Sequence, residues 1–365
     1  MEISKIAIST GGGDAPGINA VIRAAVLAGI EQGWECYGIH DGYDGLLCPE
    51  NYANGGLCRL TRREVRGITH RGGTILGTTN RGNPYCYPMP DGSGGLVEKD
   101  VSDRLIAAFR QHSLDAMIAV GGDGSMAIAN QLYKQGLPLV GVPKTIDNDL
   151  DQTVVTFGFD TAVGFATECL DRLHSTAESH DRVIVVEVMG RYAGWIALYS
   201  GVAGTADAIL IPEIPYRIEN VVEKIRSRVV EGRDFSIVVV AEGAKPEGGQ
   251  HSVLEKEVGK AERLGGIGAQ VASELHDLTG KDTRCVVLGH LLRGGRPTPH
   301  DRLLALRFGA AAVRALAGQE FGKMVALDPP DVRYVPLESA TQRMKLVPLG
   351  GDVVATARNL GICLG

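Results

Sequence analysis

Ala116-Met117-Ile118-Ala119-Val120-Gly121-Gly122-Asp123-Gly124-Ser125 decides the fold class of this chain. An apolar run enters a glycine-rich turn, and the residues from Met126 to Gln135 then follow helical spacing, so the stretch reads as strand, tight turn and helix. The same order recurs along the chain. Expected strands are Lys5 to Ser9, Glu35 to Ile39, Leu139 to Val142, Val183 to Val188, Ser236 to Ala241 and Arg284 to Leu288, each followed by a turn and a helical pattern. That alternation predicts an α/β protein with a mostly parallel, doubly wound sheet flanked by helices. Between Thr161 and His180, Ala162, Phe165, Ala166, Cys169, Leu170 and Leu173 predict one long amphipathic helix, a candidate lobe boundary. Asp91 to Gly95 and Gly243 to Gly249 read as surface loops.

At 365 residues the length points to roughly two domains. Charged residues make up 22% and the net charge is -6, which excludes a broad basic face for nucleic acid or an anionic membrane. The seven cysteines have no Cys-x-x-Cys spacing and read as reduced thiols. Met1 to Ile6 leads directly into a strand pattern without a signal-peptide apolar region, and a cytoplasmic location is expected.

In open α/β sheets ligands collect beyond the carboxyl ends of strands, and the informative residues lie there. The first strand runs into Thr10-Gly11-Gly12-Gly13-Asp14-Ala15-Pro16-Gly17-Ile18-Asn19, whose backbone amides and following helix suit a phosphate. A lone glycine turn of this kind equally serves to join strand to helix. In Gly121 to Ser125, Asp123 stands among backbone donors, which makes sense if magnesium bridges it to phosphate oxygens. Neither loop ends in the Gly-Lys-Ser/Thr of a P-loop or has dinucleotide spacing. Pro143-Lys144-Thr145-Ile146-Asp147-Asn148-Asp149 sets two carboxylates two residues apart, on one side of an extended backbone, suited to one base and one metal partner. Arg81, Arg191 and Arg293 lie on strand-end loops, where a planar guanidinium suits a phosphate dianion. Phosphoryl transfer needs these parts: in-line positioning, a base and positive charge.

Taken together, Gly12 to Asn19, Gly121 to Ser125, Thr145 to Asp149, Met189-Gly190-Arg191 and Gly289-His290-Leu291-Leu292-Arg293-Gly294-Gly295 resemble the phosphofructokinase family, in order, from near residue 5 to about residue 310. The resemblance implies two similar lobes, a phosphoryl-donor lobe of residues 1–158 and 292–342 and a sugar-phosphate lobe of residues 159–291 and 343–365. It implies a glycolytic kinase using fructose 6-phosphate and ATP, or pyrophosphate, with Mg2+. Asp147 would be the base, with Thr145 and Arg191 steadying the transferred group. Asp123 and Asp149 would hold magnesium. Gly13, Arg81, Gly121, Gly122, Asp123, Gly124, Ser125 and Lys144 would line the donor site. Thr145, Asp147, Asp149, Met189, Gly190, Arg191, Glu242, His290 and Arg293 would face the sugar phosphate. Arg182 and Arg284 would reach it from a neighbouring subunit of a homotetramer or homodimer.

Two features of the donor site pull apart. Lys144 stands where the best-known bacterial ATP enzymes have glycine and pyrophosphate-dependent relatives have lysine. Gly124 stands where the latter typically carry an aspartate that opposes the α-phosphate of ATP; the glycine favours ATP. Leu27, His174 and Glu231 replace effector-binding arginines of allosteric relatives, so activation by ADP through that pocket is not expected. A lipid or NAD kinase would leave Met189 to Arg191 and His290 to Gly295 unexplained. A non-catalytic nucleotide-binding protein would have no use for the base.

Overall fold

The structure, a computed structural model, describes residues 2–91, 95–249, 253–255 and 263–365. Its frame is two separate sheets. The larger has the spatial order Asp331–Pro336, Lys323–Asp328, Leu139–Thr145, Ala116–Gly121, Lys5–Thr10, Glu35–Ile39, Leu57–Leu60, with Phe157–Gly158 paired to the end of Leu139–Thr145. All pairs are parallel except those made by the two outermost strands. The smaller sheet runs Ala208–Leu210, Ser236–Ala241, Val183–Val188, Thr283–Val287, parallel throughout.

The apolar composition of these strands follows from burial on both faces, since alternate side chains must enter different cores. Ile118 and Val120 join Ile6 and Ile8 on one side of the larger sheet, while Met117 and Ala119 join Ala7 on the other. In the smaller sheet Ile184, Val186 and Val188 pack on one face and Val183 and Val185 on the other. The long helix spans Phe159–Ser179; of the expected stripe Ala162, Ala166 and Leu170 are buried, and Phe165, Cys169 and Leu173 are partly buried against the same core. The helix begins at the junction of the two sheets. There Asp301, in the first turn of helix Pro299–Ala317, accepts bonds from the Thr161 amide (2.8 Å) and hydroxyl (2.6 Å).

Three local expectations change. The strand read as Leu139 to Val142 continues to Thr145, because Phe157–Gly158 supplies a pairing partner beyond Pro143 and puts Lys144 and Thr145 on the strand. Helix Asp123–Lys134 starts before Met126, so Asp123, Gly124 and Ser125 form its first turn, with Gly122 as N-cap. Gly243 and Ala244 are buried rather than part of a surface loop, since the Arg191 carbonyl lies 1.8 Å from where a Gly243 side chain would begin and only glycine fits there. The loop expected at Asp91 to Gly95 joins two short antiparallel strands, Tyr87–Pro90 and Leu96–Lys99, with Asp91 and Gly95 exposed; residues 92–94 lie outside the described residues. Among the described residues no helix is long and apolar enough to cross a membrane.

Candidate active site

The larger sheet changes direction of winding at its first strand, which lies between Glu35–Ile39 and Ala116–Gly121. The crevice at such a switch point is where this fold binds ligands. Both glycine loops open into it. Gly11 donates to the Val120 carbonyl (3.0 Å), joining the two strand ends, and the Ser125 hydroxyl lies 3.1 Å from where a Gly11 side chain would begin. The loop bearing Arg81 is seated on the same turn: the Gly12 amide donates to the Thr79 carbonyl (3.2 Å) and the Thr78 hydroxyl donates to the Gly12 carbonyl. The Arg81 side chain itself is exposed.

Lys144 leaves its strand toward this turn. Its ammonium donates to the Gly13 carbonyl. The guanidinium of Arg293 comes within 2.8 Å of the place a Gly13 side chain would occupy, and donates to the Asp14 carbonyl (3.1 Å). Burial, then the charge of Arg293, lowers Lys144 to about 7. Beside Gly124 the space is open, with no atom within 4 Å of a side chain's first carbon.

Of the carboxylates near this turn, Asp149 lies close enough to Asp147 and Asp123 to feel the charge of both. Burial raises Asp147 above the ordinary carboxylate range, while Arg293, Arg191 and Lys144 all pull against that shift. The Thr145 hydroxyl accepts from the Asp147 amide (3.1 Å) and lies 3.5 Å from its carboxylate. Asp149 is pushed up to about 7 by burial and then by Asp147, with Asp123 adding to the effect. Its Oδ1 is buried without a hydrogen-bond partner. Burial alone raises Asp123.

The smaller sheet presents its carboxyl ends to the same carboxylates. Met189, Gly190 and Arg191 follow strand Val183–Val188 and are stitched to the end of Ser236–Ala241, through Glu242 N to Val188 O (2.9 Å) and Gly243 N to Gly190 O (3.0 Å). Burial, then the charge of Asp147, raises Glu242 to about 7. Gly289–Arg293 forms a short 3-10 helix carrying His290, exposed, and Arg293.

Arg182 and Arg284 are not brought to this cluster. Both pair with Asp282, at 2.6 and 2.5 Å, at the amino ends of strands Val183–Val188 and Thr283–Val287. A strand of that length spans roughly 20 Å, which separates them from Arg191 at its other end. The site also contains residues that sequence reasoning passed over: Asn148, between the two aspartates, and Lys345, whose ammonium donates to Asn148 Oδ1 (2.8 Å). No motif surrounds Lys345; only chain closure in space brings it there.

Among the described residues no three His, Cys, Asp or Glu side chains form a cage for a metal. Magnesium rarely needs one, since one or two carboxylates are completed by phosphate and water oxygens. The orphaned oxygen of Asp149, with Asp123 near it, fits that demand.

A sequence profile described as Phosphofructokinase matches residues 5–316, spanning the glycine loops, the aspartates and the arginines just placed. The chain belongs to the phosphofructokinase family. It is 52% identical over 361 residues to the ATP-dependent 6-phosphofructokinase of Chloroflexus aggregans, covering 99% of this chain and 98% of that one. It is also 48% identical over 348 residues to the pyrophosphate--fructose 6-phosphate 1-phosphotransferase of Amycolatopsis mediterranei, covering 94% and 96%. Among solved structures, Pichia pastoris phosphofructokinase in the T-state matches with a TM-score of 0.79 at 31% identity over 93% of this chain. This chain spans 36% of that longer one.

Proposed function

We propose that this chain transfers the γ-phosphoryl group of ATP to the 1-hydroxyl of fructose 6-phosphate, giving fructose 1,6-bisphosphate. One observation carries the reading: Asp147 lies half-buried at the end of strand Leu139–Thr145, where Arg293 and Lys144 from the glycine-loop side and Arg191 from the smaller sheet all act on it. A carboxylate so placed accepts the hydroxyl proton at the moment the hydroxyl attacks, while the cations balance charge on the phosphoryl group. Thr145 and Arg191 hold that group, and Gly13, Gly121, Gly122, Gly124, Ser125 and Arg81 line the donor phosphates. Asp123 and Asp149 would hold magnesium, which when bound supplies positive charge on the donor oxygens. Met189, Gly190, Glu242, His290 and Arg293 face the sugar phosphate.

In this reading residues 1–158 and 292–342 form the donor lobe, and residues 159–291 and 343–365 the sugar-phosphate lobe. Arg182 and Arg284 complete the sugar-phosphate site of a neighbouring copy, so the working unit is a homodimer or homotetramer, in the cytoplasm. Their position at the far end of the sheet supports this, because within one chain they have no path to Arg191.

The choice of ATP rests on the open space beside Gly124 together with the inward course of Lys144, whose ammonium is occupied by the Gly13 carbonyl. Pyrophosphate is the second reading, favoured by Lys144 itself. A coupled assay for fructose 1,6-bisphosphate, run with magnesium and either ATP or pyrophosphate, decides between them. Turnover with ATP supports the proposal, and turnover with pyrophosphate alone overturns the donor.

A further inference from the structure

Asn148 separates the two central aspartates and has φ of 51°, in the left-handed region that an L residue enters at a cost. Its side chain accepts two bonds: from the Thr156 amide (3.2 Å) and from the Lys345 ammonium (2.8 Å). Lys345 does more than touch this residue. Its ammonium also donates to the carbonyls of Thr153 (3.0 Å) and Val154 (3.1 Å), and its backbone amide donates to the Asp149 carbonyl (2.8 Å). The lysine itself is fixed from the far side. Its carbonyl accepts from the Trp195 indole (2.8 Å), and its ammonium lies 5.5 Å from the centre of that ring. Met344 forms a bridge with Leu150, so the whole 344–345 segment clasps the turn that follows Thr145.

We propose that Lys345 is a positioning residue for phosphoryl transfer, setting the relation of Asp147 to Asp149 by holding Asn148 in its left-handed conformation. The inference rests on the reading of Asp147 as base and Asp149 as metal partner. An ammonium spending all three protons on one turn is a costly way to fill space, and an apolar side chain against Trp195 would fill it without desolvating a charge. What the charge adds is direction. Rotation at residue 148 swings Asp147 and Asp149 relative to each other, and a displacement of about 1 Å at reacting groups costs roughly 100-fold in rate.

The test is steady-state kinetics on the full-length protein with fructose 6-phosphate, magnesium and whichever donor the unmodified enzyme uses. Lys345→Met keeps the aliphatic stem and removes the ammonium; Asn148→Gly keeps the left-handed step and removes the acceptor. For each we expect kcat to fall roughly 10- to 100-fold, with KM for both substrates within about twofold. The double variant should be no worse than Lys345→Met alone, because the two changes break one linkage. Multiplying losses, or kcat at the unmodified level in folded Lys345→Met, would overturn the proposal. Should Lys345→Met not fold, Asn148→Gly carries the test: a kcat loss at constant KM supports it and unmodified kcat refutes it. If the unmodified protein turns over no sugar phosphate with either donor, the functional reading itself fails, and that result is distinct from a variant without effect.

Discussion

Replacing Gly124 by aspartate separates the two donors by a single charge. Gly124 lies in the first turn of helix Asp123–Lys134, and nothing stands within 4 Å of a side chain's first carbon there. The substitution therefore fits the fold. A carboxylate in the first turn also meets the positive end of the helix, worth about 0.3 to 1 kcal/mol, so the melting temperature should hold or rise slightly. The same carboxylate projects into the space assigned to the α-phosphate of ATP. Two unit charges about 5 Å apart, at an effective dielectric near 20, repel by roughly 3 kcal/mol. That corresponds to a loss on the order of 100-fold in kcat/KM for ATP. Pyrophosphate has no third phosphate to be repelled, so its kcat/KM, however small at the start, should not fall in parallel. The assay is initial rates of fructose 1,6-bisphosphate formation with each donor, alongside a thermal melt. A folded Gly124→Asp enzyme whose ATP kcat/KM falls less than about threefold would show that the α-phosphate does not pass over residue 124, and the structural basis for choosing ATP would be gone.

Asp147→Asn should lower kcat by roughly two to four orders of magnitude while fructose 6-phosphate binding, measured by titration, changes little; near-normal turnover would remove Asp147 as base. Arg182→Ala should raise KM for the sugar phosphate at least about tenfold without moving KM for ATP, and mixing it with Asp147→Asn subunits should restore activity, since hybrids contain some intact shared sites. No recovery on mixing would place Arg182 outside the site. Asp149 and Glu242 sit at about 7 when folded against ordinary carboxylate values near 4 when unfolded, so the folded state holds extra protons between those values. The apo protein should then lose melting temperature as pH rises from about 5 to 7, and Asp149→Asn should flatten that slope; an unchanged slope refutes the assignment. Lys144, lowered to about 7, acts with the opposite sign above that pH. ADP should not activate the enzyme cooperatively at low sugar phosphate, because Leu27, partly buried against a core, and His174, 2.8 Å from the Gly204 carbonyl, stand where allosteric relatives offer arginines to an effector phosphate. Strong cooperative activation would contradict this.

The sheets were legible because a strand buried on both faces is apolar at most positions, and several such runs ended at or near a glycine. The glycine loops and aspartates were legible for the same reason: they follow those runs. Helix Asp123–Lys134 began earlier than its apolar spacing suggested, since two glycines in a row hide a helix start. Strand Leu139–Thr145 outran its expected end because Pro143 reads as a terminator, while the partner that extends it, Phe157–Gly158, lies beyond the next turn. Lys345 was not legible at all. A lysine between Met344 and Leu346 carries no local signal, and its importance comes from three acceptors that only tertiary folding delivers.

The pairing of strand Lys323–Asp328 with Leu139–Thr145, residue 323 against residue 140, bears on how the chain is made. The whole smaller sheet is synthesised between these two neighbours. Phe157–Gly158 covers the end of the Leu139–Thr145 edge early, but its Val140–Gly141 part stays bare until residue 323 has emerged, and an unpaired edge is a template for wrong partners. Long-range pairing of this kind folds slowly. The aspartates proposed as base and metal partner follow strand Leu139–Thr145, so a chain truncated before residue 323 should lack activity even where its earlier strands have folded.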